Sequence, residues 1–158
     1  MIEPKFKDVA EVLMGCVEGI KRTGIRLVAM RDLYAKALMP LAGNTNHFGV
    51  MYAGSLFTLG EISGGLIHVA AFDVYKWYPI VKEVKIKYLK PAATDVTMEV
   101  SLTPEEAAAI EKKAEEAGKA DILMKLDLKD AQGVVVAEVS GVWQVRRIPE
   151  GMVLPSVA

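Results

Sequence analysis

Cysteine, histidine and excess charge of either sign are scarce in this chain, and each scarcity closes off a class of function. A single cysteine, Cys16, excludes an internal disulfide framework and suits a reducing cytoplasm. The two histidines, His47 and His68, are not clustered with it, so no metal site is expected. Basic and acidic residues, 19 and 20, are well mixed for a net charge of −1, which leaves no broad basic face for nucleic acid. No glycine-rich phosphate loop of the Walker or dinucleotide type occurs. The amino terminus, Met1-Ile2-Glu3-Pro4-Lys5-Phe6-Lys7-Asp8, is too charged for a secretory signal.

Apolar residues are what the chain has in quantity. Of 158 residues 52% are hydrophobic, and the mean hydropathy is +0.26. That length suits one domain with a real core, and the apolar surplus points to surface buried between subunits of a homodimer or a dimer of dimers. The run Phe48 to Phe72 is long enough to span a bilayer. It carries Glu61 and five glycines and has no basic flank, so a buried helix of about 50–70 is expected rather than membrane insertion. Glu61 is the only Asp, Glu, Lys or Arg between Lys36 and Asp73. A carboxylate in such surroundings loses hydration and needs a partner, a raised pKa or a task as acid, base or nucleophile.

The rest of the chain reads as α+β. Phe6, Val9, Ala10, Leu13, Val17 and Ile20 recur at helical spacing, predicting an N-terminal helix of about 5–20. Ile25–Met30 and Leu33–Met39 read as strands around a turn at Arg31-Asp32. Beyond Asp73 the pattern alternates: Val84, Ile86 and Tyr88 against Lys85 and Lys87 in a strand over Ile80–Leu89, then Val96, Met98 and Val100 in one over Asp95–Leu102. Thr103-Pro104-Glu105-Glu106 opens an inserted helix of about 104–117, with Thr as N-cap and Glu106 at capping-box spacing, and Gly118 closes it. Ile122–Leu128 and Val134–Arg147 complete the strands. A sheet of this size must bury one face, and the central helix is the element available to it. The whole chain, 1–158, reads as one domain.

Two stretches carry a family resemblance: Asn46-His47-Phe48-Gly49 with Ala53-Gly54-Ser55-Leu56 and Glu61, and Tyr88-Leu89-Lys90-Pro91-Ala92. They resemble the hotdog-fold acyl-CoA thioesterases, in which a curved antiparallel sheet wraps a central helix. The nearest likeness is to the thioesterase domain that some bacteria fuse to an acetyltransferase. The resemblance implies hydrolysis of an acyl-CoA or acyl-carrier-protein thioester in a homodimer, with coenzyme A as part of the substrate and no other cofactor. Phenylacetyl-CoA-type members show an Asn, a His-Gly-Gly opening the helix, and an acid. Asn46 matches the Asn, Ala53 and Gly54 the glycines, and Glu61 the acid; Tyr52 replaces the His. Ala53 still offers a backbone N–H, which is the useful group there.

The chemistry expected is a water or carboxylate attack assisted by Glu61, with N–H groups at the helix start receiving the oxyanion. Asn46 would position water or the carbonyl, or else bond its own loop. Ser55 lacks the Asp/His set of a serine nucleophile. His47, Tyr52 and Thr58 are further candidates near the site, and Lys82, Lys85, Lys87 and Lys90 are candidates for the phosphates of coenzyme A. His47, fourteen residues before Glu61, also resembles the acid–base pair of hotdog hydroxyacyl dehydratases, without their prolines. A non-catalytic acyl-CoA-binding module is a third class. His68, Trp77, Tyr78 and Trp143 are expected as core or interface residues, His68 with its hydrogen bonds satisfied.

Overall fold

The computed structural model describes residues 1–152. Six strands form one antiparallel sheet: β1 (Arg26–Arg31), β2 (Tyr34–Met39), β3 (Trp77–Tyr88), β4 (Val96–Ser101), β5 (Lys119–Asp130) and β6 (Val135–Arg147). Their spatial order is β1-β2-β4-β5-β6-β3. Alternation builds it. In β5, Ala120, Ile122, Met124, Leu126 and Leu128 are buried while Asp121, Leu123, Lys125, Asp127 and Lys129 are exposed. The strand runs are longer than the apolar alternation alone marks, because charged ends such as Lys119 and Asp130 still pair with β6 and β4.

The helices α3 (Ala53–Glu61) and α4 (Ser63–Ala71) lie on the buried face, touching β2, β3 and β4. Leu59, Leu66 and Ile67 are fully buried there. The single helix expected over 50–70 thus starts three residues later and is interrupted at Ile62. Val50 and Met51 belong instead to a tight loop in which Thr45 and Met51 pair as an isolated bridge. The interruption falls beside Ser63-Gly64-Gly65, and Gly/Ser clusters are where helices kink. Ile62 keeps helical angles and its N–H still reaches Thr58 O at 3.1 Å.

The N-terminal helix of 5–20 is likewise broken, into a 3-10 turn (Pro4–Phe6), α1 (Lys7–Gly15) and α2 (Glu18–Lys21). Val17 is extended (φ −104°, ψ 107°), and the poor helix formers Gly15 and Gly19 flank the elbow. Apolar spacing alone cannot see this break, since α1 packs on α4 and β1 and Ile20 of α2 also packs against the core. The first hairpin turns at Asp32-Leu33 rather than Arg31-Asp32; Leu33 takes φ 61°, held by N–H donation to Ala70 O at 2.9 Å. The inserted helix α5 (Pro104–Ala117) has the full capping box, Thr103 Oγ1 accepting from Glu106 N–H and Glu106 accepting from Thr103 N–H, and ends at left-handed Gly118.

The two sheet edges differ. At β1, Ile2 bridges Met30 and the Glu3 N–H donates to Met30 O. At the other edge the twelve-residue β3 pairs only with β6 among the described residues.

Candidate active site

The site forms where α3 meets α4. Glu61 is the last residue of α3 and half-buried. Its carboxyl has no ion pair or hydrogen-bond partner among the described residues. Burial raises its pKa above the ordinary 4.5, because the low-dielectric surroundings disfavour the charged form. A lone, desolvated carboxyl of this kind can take a proton at a pH where exposed carboxylates cannot.

Its backbone is held from across the sheet. Trp143 on β6 donates its indole N–H to Glu61 O at 3.1 Å. Gly64 makes room for this ring: a Cβ there would lie 1.8 Å from Trp143 Cδ1. Nothing in the sequence links two residues 82 positions apart, so Trp143 reads from sequence as a core or interface residue, although it holds the backbone of Glu61.

The carboxyl opens on an apolar pocket of about 250 Å³ between the N-terminal segment, the α3–α4 junction and the first residues of β3. Leu13, Met14, Val17 and Ile20 form one wall, Gly65 and Leu66 the second, and Pro79, Ile80 and Trp143 the third.

At the other end of α3, Tyr52 is the N-cap residue and makes no side-chain cap. Tyr52 O receives the N–H groups of Ser55 and Leu56, at 3.0 and 3.2 Å. The N–H groups of Ala53 and Gly54 precede these and have no intrahelical acceptor, which makes them donors for an anion. The Tyr52 ring folds over Gly54, where a Cβ would meet it at 2.3 Å. Tyr88 on β3 donates its hydroxyl to Ala53 O at 3.0 Å and so ties the helix start to the sheet edge.

The remaining candidates fall into place by their hydrogen bonds. Asn46 Oδ1 accepts from Phe48 N–H (2.8 Å) and more weakly from Val50 N–H (3.4 Å), so this Asn shapes its own loop. The buried amide of the loop is Asn44, which sequence reading passes over. It donates to Thr23 O and Pro40 O and accepts the Ser55 hydroxyl at 2.9 Å. Ser55 is thereby a structural side chain. Thr58 shares the helix with Glu61 but spends its hydroxyl on Gly54 O at 2.9 Å. His47 is exposed and packs against Phe48 in the loop before α3, ring centres 4.0 Å apart and planes tilted by 43°; it is not among the residues that line the pocket with Glu61.

Val84 and Ile86 pack on the core, so Lys85 and Lys87 point from the opposite face of β3. They line an open groove of about 800 Å³ with Lys125, Asp127 and Glu138, and the sheet separates them from Glu61. Lys90 lies in the bend after β3, its N–H on Val136 O, and Lys82 pairs with Asp121 at 2.9 Å. His68 is buried as expected, yet its Nε2 has no partner, and burial pushes its pKa down to about 4. No group of three or more His, Cys, Asp or Glu converges among the described residues, and no helix there is long and apolar enough to cross a membrane.

Against this geometry stand the comparisons. The model of a family described as a domain of unknown function, DUF4442, matches residues 21–145. A Pseudomonas aeruginosa protein of unknown function, described as a "Probable Thioesterase", is 38% identical; the match covers 94% of this chain and 99% of that one, with a TM-score of 0.85. A Chlorobaculum tepidum protein of unknown function shares the fold at 16% identity, 89% and 95% coverage and a TM-score of 0.77. A thioesterase from Haemophilus influenzae does so at 15% identity, 90% and 91% coverage and a TM-score of 0.68. The search of curated proteins gives no match.

Proposed function

The chain belongs to the DUF4442 family, and we propose that it is a hotdog-fold hydrolase of acyl thioesters. The observation that carries the reading is Glu61, an unpartnered, desolvated carboxyl at an apolar pocket, in a fold shared with proteins described as thioesterases. The α3–α4 helices packed on one face of a six-stranded antiparallel sheet support the hotdog assignment.

In the reaction, Glu61 takes a proton from water as the oxygen adds to the thioester carbon, or adds to that carbon itself. The carbonyl oxygen gains negative charge and is received by the free N–H groups of Ala53 and Gly54 and the positive end of α3. Collapse of the tetrahedral species expels the thiolate. By the first route the thiolate takes the proton held by Glu61 and leaves as the free thiol of coenzyme A or a carrier protein, with the carboxylic acid as the other product; by the second it leaves an acyl–Glu61 anhydride, which water hydrolyses to the carboxylic acid and free Glu61, one proton of that water passing to the thiolate. Tyr52 and Tyr88 hold the helix start in place.

One chain cannot supply both halves. Ala53 and Glu61 are eight positions apart in one uninterrupted helix, about 12 Å along the axis at 1.5 Å per residue. Oxyanion donors must lie about 3 Å from the oxygen they serve. Two antiparallel α3 helices across a two-fold axis would bring Ala53 of one protomer beside Glu61 of its partner. The β3 edge supports such a dimer, since a long open strand is a template for pairing with a second copy.

The test is a panel of acyl-CoA and acyl-carrier-protein thioesters assayed by thiol release. Glu61→Gln should lower kcat by about two to four orders of magnitude with the fold retained. Near-full activity in a folded Gln variant refutes the assignment. His47→Ala should stay partly active as a thioesterase; loss of hydrolysis as deep as in Glu61→Gln counts against this reading, and loss of enoyl-CoA absorbance tests the His–Glu dehydratase chemistry directly.

A further inference from the structure

The pocket beside Glu61 differs from the remainder of the site in where its wall comes from. Leu13, Met14, Val17 and Ile20 belong to the α1–α2 segment, which precedes the residues that the family model matches. The segment is apolar toward the pocket but not fully packed: Val17 is 48% exposed and Leu13, Met14 and Ile20 are half-buried. Aside from Glu61 and Cys16 the lining side chains carry no group able to pair with a charge, so the pocket rejects phosphate, pantetheine amides and sugar, and suits hydrocarbon.

The glycines of the central helices sharpen this. A Cβ on Gly60 would come within 2.6 Å of Val139, and one on Gly64 within 1.8 Å of Trp143, so core packing requires both. Gly65 is different: its Cβ would meet only Leu13 Cδ1, at 3.8 Å, an ordinary contact. A helical glycine costs about 1 kcal/mol relative to alanine, and here no neighbour demands it. What the missing side chain leaves open is the pocket itself.

We propose that this pocket holds the acyl chain of the substrate and that the α1–α2 elbow sets its length, selecting aliphatic chains of middle length. The inference rests on the thioesterase reading above and adds its substrate class. Taking a methylene as close to a water's share of liquid volume, about 30 Å³, a pocket of 250 Å³ takes about eight carbons. The thioester carbon then lies at the Glu61 carboxyl and the carrier stays outside.

The test is kcat/KM along straight-chain acyl-CoA substrates from two to fourteen carbons. Wild type should gain about fourfold per methylene up to about eight carbons and then level off. Gly65→Leu fills the pocket from a position where leucine is the better helix former, so it should fold. It should move the plateau to shorter chains. Leu13→Ala should move the plateau to longer chains. Unchanged length profiles in both folded variants overturn the proposal. A folded wild type that hydrolyses no thioester refutes the thioesterase reading, and calorimetry with octyl-CoA, a thioether that cannot be hydrolysed, then judges the pocket separately. Binding weakened by more than about tenfold in Gly65→Leu, the loss of two methylenes at fourfold each, supports the pocket. No binding to wild type, or equal binding to both, overturns it.

Discussion

Mixing two inactive variants tests the shared site directly. The first, Ala53→Pro, removes one backbone N–H and little else. Ala53 is exposed and is the first residue of α3, the helical position where proline is tolerated. Tyr52 before it already has extended angles (φ −63°, ψ 136°), as a residue preceding proline requires. Loss of one oxyanion donor costs about two to three orders of magnitude in kcat. The second variant, Glu61→Gln, removes the acid. In a mixed dimer one site carries both substitutions and is doubly damaged; the other pairs an intact N–H with an intact carboxyl. Random reassortment of equal amounts makes half the dimers mixed, each with one good site of two, so activity should recover to about a quarter of wild type. The assay is thiol release before and after subunit exchange, with the mixed dimer verified by differentially tagged chains. Parents at about 1% or below, as the loss of a single donor or of the acid implies, make the recovery unmistakable. A verified, folded mixed dimer with no activity above the parental mean refutes the two-chain site.

Four further outcomes are expected. Because burial raises the Glu61 pKa, the acid limb of kcat/KM against pH should have its midpoint above 4.5, and a midpoint at or below that value contradicts Glu61 as the base. Ionising Glu61 in the folded state also costs stability as pH rises through its raised pKa, so Glu61→Gln should melt higher than wild type at neutral pH and equally near pH 4. His68 acts with the opposite sign. Its folded pKa of about 4 lies below the ordinary 6.5, so stability is full above 6.5 and falls by about 3 kcal/mol as pH drops to 4; urea titrations at both pH values should show this loss disappear in His68→Leu. Trp143→Phe keeps most of the packing but withdraws the N–H from Glu61 O, and should lower kcat more than it raises KM, with a shifted acid limb; an unchanged pH profile would reduce Trp143 to packing.

How much of this was legible in the sequence depends on the range of the interaction. The β-strands of the second half were, because alternation is a local signal with period two; β5 buries every second residue from Ala120 to Leu128. The α5 cap was too, because Thr103 and Glu106 satisfy each other within one turn. The elbow at Cys16–Val17 was not. Apolar residues at helical steps can line one side of one helix or of two short ones, and the choice is made by packing against α4. The faces of Lys85 and Lys87 were legible as a pair, whereas their distance from Glu61 required knowing which face of β3 the helices cover.

The site divides along the same line. Glu61 stood out because charge isolation in an apolar run is a local property of the sequence. Asn44 and Asn46 are two positions apart and identical in type, and nothing in their neighbours says which is buried. The fold decides it: Asn44 faces the Ser55 hydroxyl and the Thr23 and Pro40 carbonyls, while Asn46 closes a surface turn. Trp143 is the plainest case. Its indole reaches Glu61 only because Gly64 lacks a Cβ, a three-residue arrangement assembled from α3, α4 and β6. The same junction then places Gly65 one position further round the helix, open to the pocket rather than to the indole. Adjacent glycines therefore serve opposite ends: one lets the protein close on itself around the acid, and its neighbour keeps space beside that acid unfilled.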